Sequence, residues 1–149
     1  MTVIFQNLYL GNEDDSKDSH KYDVIINCTK ELPFYSEKTE NIRIAVVDNG
    51  NPKEINLMTQ LVPDVLNRAI ICLNTGKKVL VHCKAGQQRS ATIVACICLY
   101  KFPNMETHEV INYVKTREPI AFFGGINFLE TINAVKRSIS VENDKRLKV

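Results

Sequence analysis

Five residues, Lys84-Ala85-Gly86-Gln87-Gln88, separate Cys83 from Arg89, and Ser90 follows the arginine. The apolar run Val79-Leu80-Val81 leads through His82 into this segment, and a second apolar run begins directly after it. The first run reads as a strand and the second as a helix, so the segment is a strand-to-helix loop. Successive backbone N–H groups in a tight loop make an anion-binding cavity. The helix N-terminus adds unpaired N–H groups and about half a positive charge. Gly86 permits a sharp turn and close backbone approach. Arg89 can grip two oxygens of a phosphate in bidentate fashion. Cys83 lies at the base of this field, which favours thiolate over thiol. A thiolate on the floor of a phosphate-sized cradle is a nucleophile aimed at phosphorus.

The elements that must position this loop follow from hydrophobic patterning. Strands are expected at Val3–Phe5, Leu8–Leu10, Asp23–Asn27, Ile42–Val47 and Val79–His82. The last three are rich in Val and Ile and hardly alternate, which suits strands buried on both faces of a sheet. Helical patterning begins after Pro52, with Leu61, Val65, Leu66, Ala69, Ile70 and Leu73 forming one apolar stripe. Pro63 is expected in the first turn of that helix, where a missing N–H costs little, and Gly76 as its terminator. A second helix, Arg89 to Lys101, is apolar almost all round and should be central and buried. A third is expected over Met105–Thr116, capped by Thr107 or Asn104. A fourth follows Gly124-Gly125, over Ile126–Ser138. Residues 11–21 read as a solvated loop or a poorly formed helical turn. The order implies one α/β domain with a central mixed, mostly parallel sheet of four to five strands flanked by helices. Residues 1–139 form the domain, and 140–149 a charged tail expected to fray.

Composition bounds the rest. A chain of 149 residues suits about one domain and can bury a core without staples. With 19 basic and 17 acidic residues the net charge is only +2, which gives no footprint for nucleic acid or an anionic membrane. No apolar run approaches a membrane span, and the first residues do not resemble a signal peptide. An intracellular protein, cytoplasmic or nuclear, is the default expectation. The five cysteines are odd in number and show no zinc-type spacing, so neither a disulfide framework nor a metal site is expected. No cofactor is implied, and the oligomeric state is not legible.

The run Val81-His82-Cys83-Lys84-Ala85-Gly86-Gln87-Gln88-Arg89-Ser90-Ala91-Thr92 resembles the signature loop of cysteine-dependent protein phosphatases, His-Cys-x5-Arg-Ser/Thr. Ser90-Ala91-Thr92, and the apolar helix ending in Leu99-Tyr100, resemble the dual-specificity group in particular, here a small member with a catalytic domain alone. The likeness covers most of the chain. Asn7–Gly11 is similar to the family's opening strand and turn, and Val24–Thr29 to its second core strand. Thr116–Ile120, followed by Asn127-Phe128, is similar to its late loop and last helix.

That resemblance implies a phosphatase acting on phosphotyrosine, and on phosphoserine or phosphothreonine, in a phosphoprotein or phosphopeptide. It implies Cys83 as nucleophile. It implies that Lys84, Ala85, Gly86, Gln87, Gln88 and Arg89 bind the phosphate, and that Ser90 donates to the thiolate. It implies a general acid at Asp48, 35 residues ahead of Cys83, with Asp64 as competitor inside the first long helix. His82 is expected to hydrogen-bond loop backbone and shape the cradle. The family's late-loop Asn falls at Gly125, so either Asn127 takes over its loop-supporting role or that support is missing. Gln88 replaces the small residue usual before the arginine, and its side chain could narrow or cap the pocket rim. In some relatives a cysteine near Cys28 forms a protective disulfide with the nucleophile; otherwise Cys28 is a core residue, as Cys72, Cys96 and Cys98 are expected to be. Other readings of the same loop are a phosphoinositide phosphatase, an RNA 5′-phosphatase and an inactive phospho-binding relative.

Overall fold

The computed structural model describes residues 1–147. Five strands, β1 Thr2–Phe5, β2 Leu8–Gly11, β3 Val24–Asn27, β4 Glu40–Arg43 and β5 Val79–His82, form one sheet in the order β1-β2-β5-β3-β4. Only β1 runs antiparallel to its neighbour. Strand β5 is therefore central, between β2 and β3. All four of its residues are buried.

Alternation along the central strands feeds two unequal layers. Val24, Ile26, Val79 and Val81 face the main core. Ile25 and Leu80 face a small cluster with Tyr22, Tyr9 and Phe34. The main core is covered by helices α2 Pro52–Asn74, α3 Arg89–Lys101, α4 Thr107–Arg117 and α5 Leu129–Leu147. Helix α3 packs against α2, α4, α5, β2 and β5. Its first eleven residues are all buried, as its all-round apolar sequence demands.

Several expectations need correction. The strand expected at Ile42–Val47 is displaced to Glu40–Arg43. Its partner β3 ends at Asn27, whose carbonyl takes a last bond from Ile44 N (2.9 Å). Ile44 and Val46 are buried but lie beyond the ladder, so their apolar character reports burial and not a strand. Helix α2 starts at Pro52, capped by Asn51, whose side chain accepts from Lys53 N (2.9 Å). Pro52 fills the first-turn position, and Pro63 lies mid-helix on the exposed face instead. Gly76, with φ +80°, does end the helix: Lys77 N reaches the Cys72 carbonyl (3.0 Å) and Gly76 N that of Leu73 (3.1 Å), a Schellman closure.

Neither Asn104 nor Thr107 caps α4. Thr107 is its first helical residue, and the Glu109 side chain accepts from Glu106 N (3.1 Å). Helix α5 begins at Leu129, because Ile126–Phe128 belong to a pinned loop described below. It runs through most of the segment set apart as a charged tail, which contains no Gly or Pro to stop it. The polar stretch 11–21 is ordered: α1 Glu13–Ser16 is closed by reciprocal bonds between Asn12 and Asp15 (2.9 and 3.1 Å), and a 3-10 turn covers Ser19–Lys21.

Candidate active site

Strand β5 delivers His82 and Cys83 to the C-terminal edge of the sheet, and α3 begins at Arg89. The connecting loop curls around the Cys83 sulfur. The Ser90 hydroxyl lies 3.1 Å from Cys83 Sγ, and Gly86 N donates to it at 3.3 Å. Cys83 is 3% exposed, at the bottom of the loop. Gly86 has φ +74°, and a Cβ there would meet the Gly11 carbonyl at 3.0 Å. Glycine therefore serves both backbone shape and close packing against β2. Helix α1 buttresses the same loop through Glu13 N, which donates to Lys84 O (3.1 Å).

Arg89 is almost wholly buried. Its Nη1 donates to the Val46 carbonyl (3.0 Å), tying the phosphate-type loop to the segment beyond β4. The other guanidinium donors are not engaged among the described residues, so they can turn to an oxyanion. Lys84 and Ala85 are exposed and Gln87 is partly exposed. His82 is fully buried, with Nδ1 3.4 Å from the Cys83 carbonyl. Burial pushes its pKa below the usual histidine value. A neutral ring donating through Nδ1 suits that contact.

Asp48 is half-buried on the loop between β4 and α2, and its Oδ1 accepts from Asn127 Nδ2 (2.8 Å). Asp64 is exposed within α2. Asn127 thus reaches the carboxylate of Asp48, while its own N–H donates to Gln88 Oε1 (3.1 Å). Gln88 does not cap the pocket rim. It is buried, and its Nε2 donates to the carbonyls of Phe123 (3.2 Å) and Gly125 (2.8 Å). The position where the family carries Asn is thus a glycine whose carbonyl is held by Gln88.

Cys28 lies one residue beyond the Asn27–His82 pair of the parallel β3–β5 ladder, and its N–H donates to His82 O (2.8 Å). Its thiol is buried, and its pKa is raised well above the ordinary value by burial first and the nearby Cys83 sulfur second. Cys96 and Cys98 are buried in α3, and burial also raises their thiols, that of Cys98 to about 12. Cys72 is buried in α2. Among the described residues no three His, Cys, Asp or Glu side chains gather as metal ligands would.

A sulfur ringed by donors, an arginine with free donors and a carboxyl on a facing loop can bind a phosphate monoester and displace its alcohol. Residues 8–138 match the family described as Dual specificity phosphatase, catalytic domain. The chain belongs to this family. As a dual-specificity phosphatase domain it is a phosphoric monoester hydrolase. It is 30% identical over 144 residues to 123R of Invertebrate iridescent virus 6, a protein named as a tyrosine phosphatase, covering 95% of this chain and 96% of the relative. It is 32% identical over 127 residues to Tyrosine-protein phosphatase vhp-1 of Caenorhabditis elegans, covering 80% of this chain but only 19% of that protein. The fold is similar to the crystal structure of human DUSP28, with TM-score 0.77 at 18% identity, covering 95% of this chain and 99% of that one.

Sequence reasoning missed the bracing of this phosphatase loop. The Val46 carbonyl on Arg89, Gly11 under Gly86, and the Gln88 contacts join distant segments. The unusual long amide at position 88 was the one signal available.

Proposed function

We propose that this phosphatase domain dephosphorylates phosphotyrosine and phosphoserine or phosphothreonine side chains of proteins through a cysteinyl-phosphate intermediate. The observation that carries the reading is the pair of donors, Ser90 Oγ and Gly86 N–H, converging on the Cys83 sulfur. Donors at that place stabilise a thiolate. The thiolate attacks phosphorus, and the P–O bond to the side chain breaks. Asp48, protonated, supplies the proton to the departing oxygen. The loop N–H groups and Arg89 hold the charge on the transferring phosphoryl group. In the second step Asp48, now a carboxylate, takes a proton from water as the water oxygen attacks phosphorus. The S–P bond breaks, inorganic phosphate leaves, and Ser90 donates to the thiolate that is released.

Relatives named as tyrosine or dual-specificity protein phosphatases favour protein over lipid or RNA-end substrates. The presence of Cys83, Arg89 and Asp48 together favours turnover over silent binding. The test is turnover of phosphopeptides and an aryl phosphate in chelator. Activity is expected, with none in Cys83→Ser. Asp48→Ala is expected to lose ~10²–10⁴-fold in kcat on phosphopeptides and much less on aryl phosphates with good leaving groups. Equal losses on both would remove Asp48 as the acid. Full activity in Cys83→Ser would remove the mechanism.

A further inference from the structure

A long amide at position 88 is not needed by an anion cradle, whose donors are backbone N–H groups. Yet Gln88 is 7% exposed and its amide is fully engaged. Nε2 spends both hydrogens on the Phe123 and Gly125 carbonyls, and Oε1 accepts from Asn127 N. Phe122 N adds a bond to Gln87 O (2.7 Å). The loop so clamped has little regular structure. Phe122 sits at φ +60°, and Gly124 and Gly125 at +80° and +144°. A phenylalanine in the left-handed region costs of order 1–3 kcal/mol and persists only where its surroundings over-determine it. Gln88 and Gln87 are those surroundings.

The clamp ends at Asp48. Asn127, whose N–H is held by Gln88, uses its side-chain Nδ2 to donate to Asp48 Oδ1 (2.8 Å). Asp48 needs such a tie because its segment lies beyond the last ladder bond of β4. Two further bonds brace that segment: Arg89 Nη1 to Val46 O (3.0 Å), and Val47 N to Glu54 Oε2 (3.3 Å). Thus the phosphate loop grips the Asp48 segment twice, directly through Arg89 and indirectly through Gln88 and Asn127. The Asn127 bond also occupies one carboxyl oxygen, Oδ1, and leaves Oδ2 as the atom that can carry a proton.

We propose that Gln88 and Asn127 are positioning residues that form a relay from the phosphate loop to Asp48, fixing which carboxyl oxygen carries the proton and where it stands. The relay rests on the reading of Asp48 as the general acid. It acts only through Asp48, so its contribution must follow the need of the substrate for an acid.

The test measures kcat and KM for Asn127→Ala and Gln88→Ala, alone and combined with Asp48→Ala. The substrates are a phosphopeptide and an aryl phosphate with a good leaving group. Each single variant is expected to lose about 10-fold in kcat on the phosphopeptide, the scale of one hydrogen bond. For Asn127→Ala, KM, and kcat on the aryl phosphate, are expected to stay within about 2-fold. Added to Asp48→Ala, neither substitution is expected to cost more. For Asn127→Ala, equal losses on both substrates, or the same loss in the Asp48→Ala background, would overturn the relay. If Asp48→Ala itself shows no leaving-group dependence, the acid assignment fails and the relay with it. Should Gln88→Ala not fold, Asn127→Ala carries the test alone, because Asn127 is exposed and its substitution removes only the contact to Asp48.

Discussion

At the scale of residues, the site depends on what surrounds one sulfur. Cys83 and Cys28 differ in environment though they follow neighbouring strands. Cys83 has the Ser90 hydroxyl and the Gly86 N–H at its sulfur; the Cys28 thiol is held well above its ordinary pKa, by burial first and by the Cys83 sulfur second. Parallel strands stand about 4.8 Å apart, a spacing inside the roughly 4.4–6.8 Å of Cα separation that disulfides span. Peroxide would oxidise Cys83 to its sulfenic acid. The Cys28 thiol would then attack that sulfur, release water and leave a disulfide. Peptide mapping after peroxide is expected to find Cys28 joined to Cys83, with activity restored by a thiol reductant. Over-oxidised Cys83 beside free Cys28 would contradict this. The Cys–Arg loop was legible because its chemistry is local in sequence. The role of Gln88 was not, because a polar side chain in such a loop reads as pocket rim until its partners, some 35 to 40 residues later, are known.

At the scale of elements, β5 and α3 match the sequence reading residue for residue, because burial from all sides leaves an unmistakable apolar signal at both. The shifted β4 shows the converse. Ile44 and Val46 are apolar because they are buried under the site, yet no strand remains to pair with them. Helix α2 carries a second lesson. Prolines favour a helix start, which is where the sequence pattern puts Pro63, but Pro52 already occupies that position. A mid-helix proline leaves the Thr59 carbonyl without its N–H partner and costs about 3 kcal/mol relative to alanine. Because Pro63 is exposed, its replacement sacrifices little packing. Pro63→Ala is expected to stabilise the protein by ~1–3 kcal/mol in denaturant unfolding, with little change in kcat. An unchanged or lower midpoint would show that proline at this position is needed to seat α2 on the core.

At the scale of the whole molecule, the fold presents the ends of parallel strands and the start of one buried helix to a single edge, where the loop, Asp48 and Asn127 meet. The buried His82 links that edge to global stability. Its pKa is lowered in the folded state, so below the unfolded value of ~6.5 the unfolded chain binds the extra proton. Its contribution is therefore fully present above about pH 6.5 and lost as pH falls through its lowered folded value. Stability measured by denaturant is expected to decline as pH falls below about 6.5, and less steeply in His82→Gln. Identical slopes would show that His82 is not the coupled group.

The most direct measurement is to trap the intermediate. Rapid acid quench during phosphopeptide turnover, followed by peptide mass mapping, is expected to find phosphate bound to Cys83. It is expected to accumulate further in Ser90→Ala, where the thiolate leaves without its hydroxyl donor. Phosphate on another residue, or turnover in Cys83→Ser, would contradict the proposed chemistry outright.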